Sequence, residues 1–155
     1  MKQLLLLALL LSSITYAQEL KIKSNSFKAD ENSGVSVFSG DVNIIKSSDE
    51  LNASEVTIYT NKQNKPTKFI AFGDVSFFIT TKQGAKYSGV ANKVVYIPAT
   101  KEYHFFGNVY LKQLDEKKEI LGDEVVLKTV GGEAYAKGMD KGPVIMIFDI
   151  DEEKE

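Results

Sequence analysis

The sequence predicts an all-β chain, built as a stack of long antiparallel strand pairs that bend in the middle and are partly covered on both faces. The first observation is a threefold repeat: Phe38-Ser39-Gly40-Asp41-Val42-Asn43-Ile44 returns as Ala71-Phe72-Gly73-Asp74-Val75-Ser76-Phe77 and as Phe105-Phe106-Gly107-Asn108-Val109-Tyr110-Leu111. In each copy an apolar residue lies two before the glycine, a valine two after it and an apolar residue four after it, the period of one strand face. The glycines stand 33 and then 34 residues apart, a spacing that marks a repeated supersecondary unit. The competing reading is three unrelated hairpins turning at Gly-Asp or Gly-Asn. Against it, the alternation passes through each glycine without a change of parity, which a turn does not require.

The second observation is a weaker motif that follows each copy, a small residue, two variable positions and a valine: Ala53-Ser54-Glu55-Val56, Ala91-Asn92-Lys93-Val94 and Gly122-Asp123-Glu124-Val125. A step of three is odd, so the small residue and the valine face opposite ways unless a bulge intervenes. Small residues in mid-strand suit such a bend. The third observation is that no segment after the N-terminal leader carries a helical stripe with caps.

In chain order, Lys2, the apolar run Leu4 to Leu11 and the small-x-small site Thr15-Tyr16-Ala17 read as a secretory signal peptide over residues 1–17. The run is too short for the ~20 apolar residues of a membrane span; the alternative is an uncleaved inner-membrane anchor. Leu20 to Phe27 alternates as a short strand, and Asp30-Glu31-Asn32-Ser33-Gly34 turns it. Val35 to Lys46 is the first long strand, Ser47-Ser48-Asp49-Glu50 a turn, and Leu51 to Thr60 the return. A second round begins at Lys68, where Phe69, Ala71, Gly73, Val75, Phe77 and Ile79 keep period two without a break. Ile70, Phe72 and Phe78 occupy the opposite face, so both faces need cover. Tyr87 to Pro98 returns. The third round runs from Tyr103 to Leu111 and back through Glu119 to Val130, followed by short strands at Glu133 to Lys137 and Val144 to Phe148.

One domain, residues 18–148, is expected between the leader and an acidic tail at 149–155. There is no cysteine, so an exported chain of this kind is held by packing and strand pairing alone. With Lys2 gone, the 21 acidic residues outnumber the remaining basic ones by three. Every basic residue is lysine. The absence of arginine forks and the acidic balance argue against nucleic acid as a partner.

Chemistry has little to stand on. His104 is the only histidine and lies among Tyr103, Phe105 and Phe106, so zinc sites and catalytic triads lack their parts. The sequence carries no phosphate loop and no hydrolase motif, and neither enzymatic activity, a cofactor nor a metal is expected. What it does carry is apolar supply at inward-parity positions: Phe38, Val42, Ile44, Val56, Phe69, Val75, Phe77, Ile79, Val94, Tyr96, Tyr103, Phe105, Val109, Leu111, Val125 and Leu127. A packed core accounts for these residues. The functional alternative is that part of this interior is an elongated slot for acyl chains.

Taken together, the unit Val37 to Ile44, its return Leu51 to Tyr59, and the later Phe105 to Leu111 with Gly122 to Val125 resemble the LptA/OstA-like periplasmic proteins that carry lipopolysaccharide between the membranes of Gram-negative bacteria. The likeness spans about Leu20 to Phe148. It implies an open, twisted antiparallel β-jelly roll whose interior takes lipid A acyl chains. It also implies a periplasmic location, and head-to-tail stacking of rolls into a bridge from an inner-membrane transport complex to an outer-membrane translocon. One departure is that only lysines are present to meet lipid phosphates. An open roll has two unpaired edges, and a contact between them that does not close makes a filament. The expected edges are Leu20, Ile22 and Phe27 at one end and Val144, Met146 and Phe148 at the other. Two alternatives stay open: an anchored component or translocon domain of the same pathway, and a structural or adhesion β-sandwich with a dry core.

Overall fold

The structure is a computed structural model that describes residues 19–138 and 142–150. The leader expected at 1–17 and the end of the acidic tail lie outside the described residues. Ten strands follow one another: β1 (Leu20–Lys23), β2 (Ser26–Asp30), β3 (Val35–Lys46), β4 (Asp49–Thr60), β5 (Pro66–Thr80), β6 (Lys86–Ile97), β7 (Glu102–Gln113), β8 (Lys118–Lys128), β9 (Glu133–Lys137) and β10 (Ile145–Phe148). There is no helix among the described residues. All pairings are antiparallel within one unclosed sheet of order β1-β3-β4-β5-β6-β7-β8-β10, with β2 beside β3 and β9 beside β8.

Each repeat glycine is a corner in a continuous strand. Opposite Ser39 and Val42 of β3 stand Glu55 and Ala53 of β4, three steps against two, and β7 makes the same shift against β8 between Phe106 and Val109. On β5 the shift falls between Phe72 and Val75. At every corner the glycine and the next residue both have positive φ: Gly40 and Asp41, Gly73 and Asp74, Gly107 and Asn108. Only glycine, and less readily Asp or Asn, takes that conformation without large cost, which is why the repeat reads Gly-Asp or Gly-Asn. The corners line up across the sheet and fold it into two layers. The first layer holds β1, β10 and the stretches around Ile44, Leu51, Phe77 and Leu111. The second holds β2, β9 and the stretches around Phe38, Val56, Phe69 and Phe105.

The corner also settles the odd step of three. Ala53 and Val56 are both buried, and so are Ala91 and Val94, because the strand turns between them and its inward face moves on by one residue. Between the layers Phe77 and Phe105 stack at 4.4 Å, and Val42, Val56, Val75, Val94, Val109, Leu111, Val125 and Leu127 pack around them.

The expected single first strand, Leu20 to Phe27, is instead β1 and β2, separated by Ser24-Asn25. Together they form one more bent return strand: Ile22 lies opposite Ile44 and Phe27 opposite Phe38. At the corner the Asn25 N–H donates to the Gly40 carbonyl at 2.9 Å. β9 and β10 are the matching outgoing strand on β8, with residues 138–144 between them.

Opposite the corners, the free lips of the two layers are joined, among the described residues, at one end. The turn Thr81 to Ala85, after β5, reaches the far layer, where the Lys82 N–H donates to the Thr129 carbonyl at 3.2 Å. Thr81 and Thr129 are both buried there. Thr129 in turn donates from its hydroxyl to the Lys101 carbonyl at 2.7 Å.

Candidate functional site

At the end near β1, β3 and β4 the lips part and leave an apolar cavity of about 250 Å³. Its first-layer wall is Leu20, Ile44, Leu51 and Ile79, and its second-layer wall is Pro66, Phe69, Tyr96, Pro98 and Tyr103. Lys46, Asp49 and Glu50 stand at the lip. The β3–β4 hairpin places them: Lys46 and Asp49 are cross-strand partners around Ser47-Ser48, so the inward parity of Val42 and Ile44 continues to Lys46, and that of Ala53 and Leu51 to Asp49. The second-layer wall is a run of rings. Phe69 lies 5.9 Å from Tyr96, Tyr96 stacks on Tyr103 at 4.5 Å, and Tyr103 is 6.1 Å from Phe105 of the core.

The Asp49 carboxylate carries the inward parity of β4 to this cavity and acts on the rings of its far wall. One of its oxygens accepts the Thr80 N–H at 2.8 Å. Burial pushes its carboxyl above the ordinary value, against the pull of the Thr80 N–H and the Lys46 ammonium. Burial, reinforced by the Asp49 charge, also raises the phenols of Tyr96 and Tyr103, so both remain neutral hydroxyls.

The sign of the Asp49 shift gives a stability prediction. A raised folded-state value means that protonation favours the fold, so this group's contribution is complete below the ordinary value of about 3.9 and is lost as pH rises through the folded value. Asp49→Asn keeps an acceptor for Thr80 and removes the charge. Its urea midpoint is expected to exceed that of the parent near pH 7 and to match it near pH 3. An equal gap at both pH values would mean that the charge is not the cause.

Of the sixteen residues expected to line a slot, Ile44, Phe69, Ile79, Tyr96 and Tyr103 line this cavity. Ten others, Val42, Val56, Val75, Phe77, Val94, Phe105, Val109, Leu111, Val125 and Leu127, lie in the closed core. Phe38 packs on Phe27 at 4.8 Å in the second layer. Leu51, Pro66, Pro98, Lys46, Asp49 and the edge residue Leu20 also reach the cavity. Counting back from Ala53 by twos would have found Leu51 and Asp49, but the polar run Ser47 to Glu50 reads as a turn and hides the second. His104 lies on the outer face, 3.2 Å from Glu102 and beside the Phe106 ring. No group of metal-ligating side chains forms among the described residues.

β1, β2, β9 and β10 each have one strand neighbour among the described residues. Leu20, Phe27, Met146 and Phe148 are exposed there; Ile22 packs against the core and Val144 is half-buried just before β10.

No functionally curated protein matches the chain. A solved structure with a similar fold is that of LptH from Pseudomonas aeruginosa, described as the LptA homologous periplasmic component of the lipopolysaccharide transport device. The TM-score is 0.75 at 16% identity, over 86% of this chain and 96% of that one, a likeness that shows the fold. Residues 21–133 match the family described as LptA/(LptD N-terminal domain) LPS transport protein. That match runs from β1 to the start of β9, well over half of the sequence, and the chain belongs to the LptA/LptD N-terminal domain family of LPS transport proteins.

Proposed function

We propose that this chain is a periplasmic carrier that holds lipopolysaccharide by its lipid A acyl chains and passes it from an inner-membrane transport complex toward an outer-membrane translocon. The observation that supports this most directly is the apolar cavity at the parted lips of a roll from an LPS transport family. A cavity of about 250 Å³ is at or below the small end of ligand pockets, ~300–1,000 Å³. It suits part of one acyl chain, with sugars left in water. At ~0.8 kcal/mol per buried methylene, about six methylenes contribute roughly 5 kcal/mol gross. A relay needs a hold of that order, because whatever binds must also leave.

Capture by a photo-crosslinking residue tests the reading. Placed at Phe69 or Tyr103, it is expected to trap lipopolysaccharide, while the same residue at Phe72, 60% exposed on the outer face, is not. Capture from Phe72 alone, or from none of the three, rejects the carrier reading.

The alternation of strand types supports head-to-tail assembly. The β1/β2 edge is a return strand and the β9/β10 edge an outgoing one, so a second copy continues the alternation antiparallel and in phase. The internal register carries over. Ile22 takes the place of Leu51, Gly89 and Ile120, and Met146 that of Ile44, Phe77 and Leu111. Across the junction Met146 of one copy then faces Ile22 of the next, Phe148 faces Leu20, and Ala136 faces Phe27. Phe148 would extend the cavity wall that Leu20 begins. Because the chain has no cysteine, Ile22→Cys with Met146→Cys is expected to give a ladder of disulfide-linked oligomers on oxidation, and either single variant nothing beyond a dimer. Absence of the ladder rejects this register.

A second reading, a translocon domain or anchored component, has the family's own breadth in its favour, since that family includes the LptD N-terminal domain. The mass of the exported protein separates the carrier from the anchored form, a chain beginning at Gln18 against a retained leader.

A further inference from the structure

We propose that Asp49, with the hydroxyls of Tyr96 and Tyr103, makes the cavity select acyl chains that carry a hydrogen-bond donor close to their head over unsubstituted chains. The inference rests on the acyl-binding reading above and names the chemistry that reading leaves open. A carboxylate offers about four acceptor positions. One is taken by the Thr80 N–H, and the other oxygen has no protein partner among the described residues. An alkyl chain entering the cavity strips water from that oxygen and returns nothing, whereas a hydroxyl on the chain restores a charge-assisted hydrogen bond.

The place of Asp49 sets the place of the donor. Asp49 begins β4 at the lip, immediately after the Ser47-Ser48 turn, while Phe69, Ile79 and Leu51 line the wall. A chain that enters tail first, with its polar head in water, brings only its first carbons level with Asp49. Tyr96 and Tyr103, neutral hydroxyls on the facing layer, can donate to or accept from the same substituent. Lys46 and Glu50 share the lip. Lys46 would pair with a free carboxylate, so an ester head isolates the effect of the chain itself. Ionised Asp49 also costs the empty protein stability, as argued above, and a polar group kept at such a cost is where a ligand role is sought.

The test uses the mature protein and displacement of a fluorescent acyl probe by methyl decanoate, methyl β-hydroxydecanoate and methyl ω-hydroxydecanoate. The β-hydroxy ester is expected to bind about tenfold tighter than the unsubstituted one, the scale of one hydrogen bond to a charged group, and the ω-hydroxy ester no tighter. Asp49→Leu should erase the preference and tighten the unsubstituted ester, since no carboxylate is then stripped of water, and Asp49→Asn, a milder change should the first fail to fold, should reduce the preference. Equal binding of the β-hydroxy and unsubstituted esters, or a preference unchanged in the variants, overturns the selectivity and leaves acyl binding standing. Failure of every ester to displace a bound probe, or of the probe to bind, overturns both.

Discussion

Replacing Phe105 by alanine is expected to lower the unfolding free energy by about 3–5 kcal/mol, read as a lower urea midpoint at unchanged slope. Phe105 is 0% exposed and stacks on Phe77 across the gap between the layers. Its strand neighbours Val94 and Val125 are themselves fully buried. The cavity left behind is bounded by Phe77 on one layer and by Val94 and Val125 on the other. For a domain stable by ~5–15 kcal/mol the loss is a large share. Phe72→Ala, on the exposed face, should stay within about 0.5 kcal/mol. A cost for Phe105→Ala below about 1.5 kcal/mol would mean that the layers close again over the gap and that the interior is plastic rather than packed.

The contrast between Phe105 and Tyr103 shows how far alternation reaches. Both carry inward parity on β7, and period two treats them alike. Yet Phe105 lies under the closed part of the roll, and Tyr103, two residues nearer the lip, lines the cavity. What separates them is not in either residue. It is depth between the layers, Phe105 standing one inward step nearer the corner than Tyr103, and where the lips close depends on the contact of Lys82 with Thr129, a pairing between segments nearly fifty residues apart that no local pattern announces. The threefold Gly-Asp or Gly-Asn repeat was legible because a corner needs two positive-φ residues and few residue types accept them. The split of the first strand was not legible, since Asn25 does the work of the corner through its contact with Gly40 in β3. Asp49 was missed for a third reason: its polar neighbours make a turn, and a residue at the edge of a turn has no visible face until its strand partner is known.

The corners themselves are the second place where one atom is expected to matter. At Gly73, φ is +84 and an added Cβ would lie 2.7 Å from the Ser54 hydroxyl oxygen and 2.8 Å from its Cβ. Gly73→Ala therefore combines backbone strain of about 1–2 kcal/mol with a clash against the neighbouring strand, and a total of about 2–4 kcal/mol is expected. Gly84 supplies the reference. Its φ is +89 and no heavy atom lies within 4 Å of the added Cβ, so Gly84→Ala carries the strain alone. The difference between the two variants is the contact, and Ser54→Gly should remove most of it when combined with Gly73→Ala, leaving a double-mutant coupling of about 1 kcal/mol or more. Equal costs for Gly73→Ala and Gly84→Ala would mean that the corner is set by backbone conformation alone. The distinction bears on the cavity, because the corners are the fold line and the lips lie opposite them. If Ser54 packed on Gly73 fixes the angle between the layers, changing that contact changes the gap at Tyr103 and Leu51, and acyl-probe affinity should shift in the Gly73 variant and return toward the parent when Ser54→Gly is added.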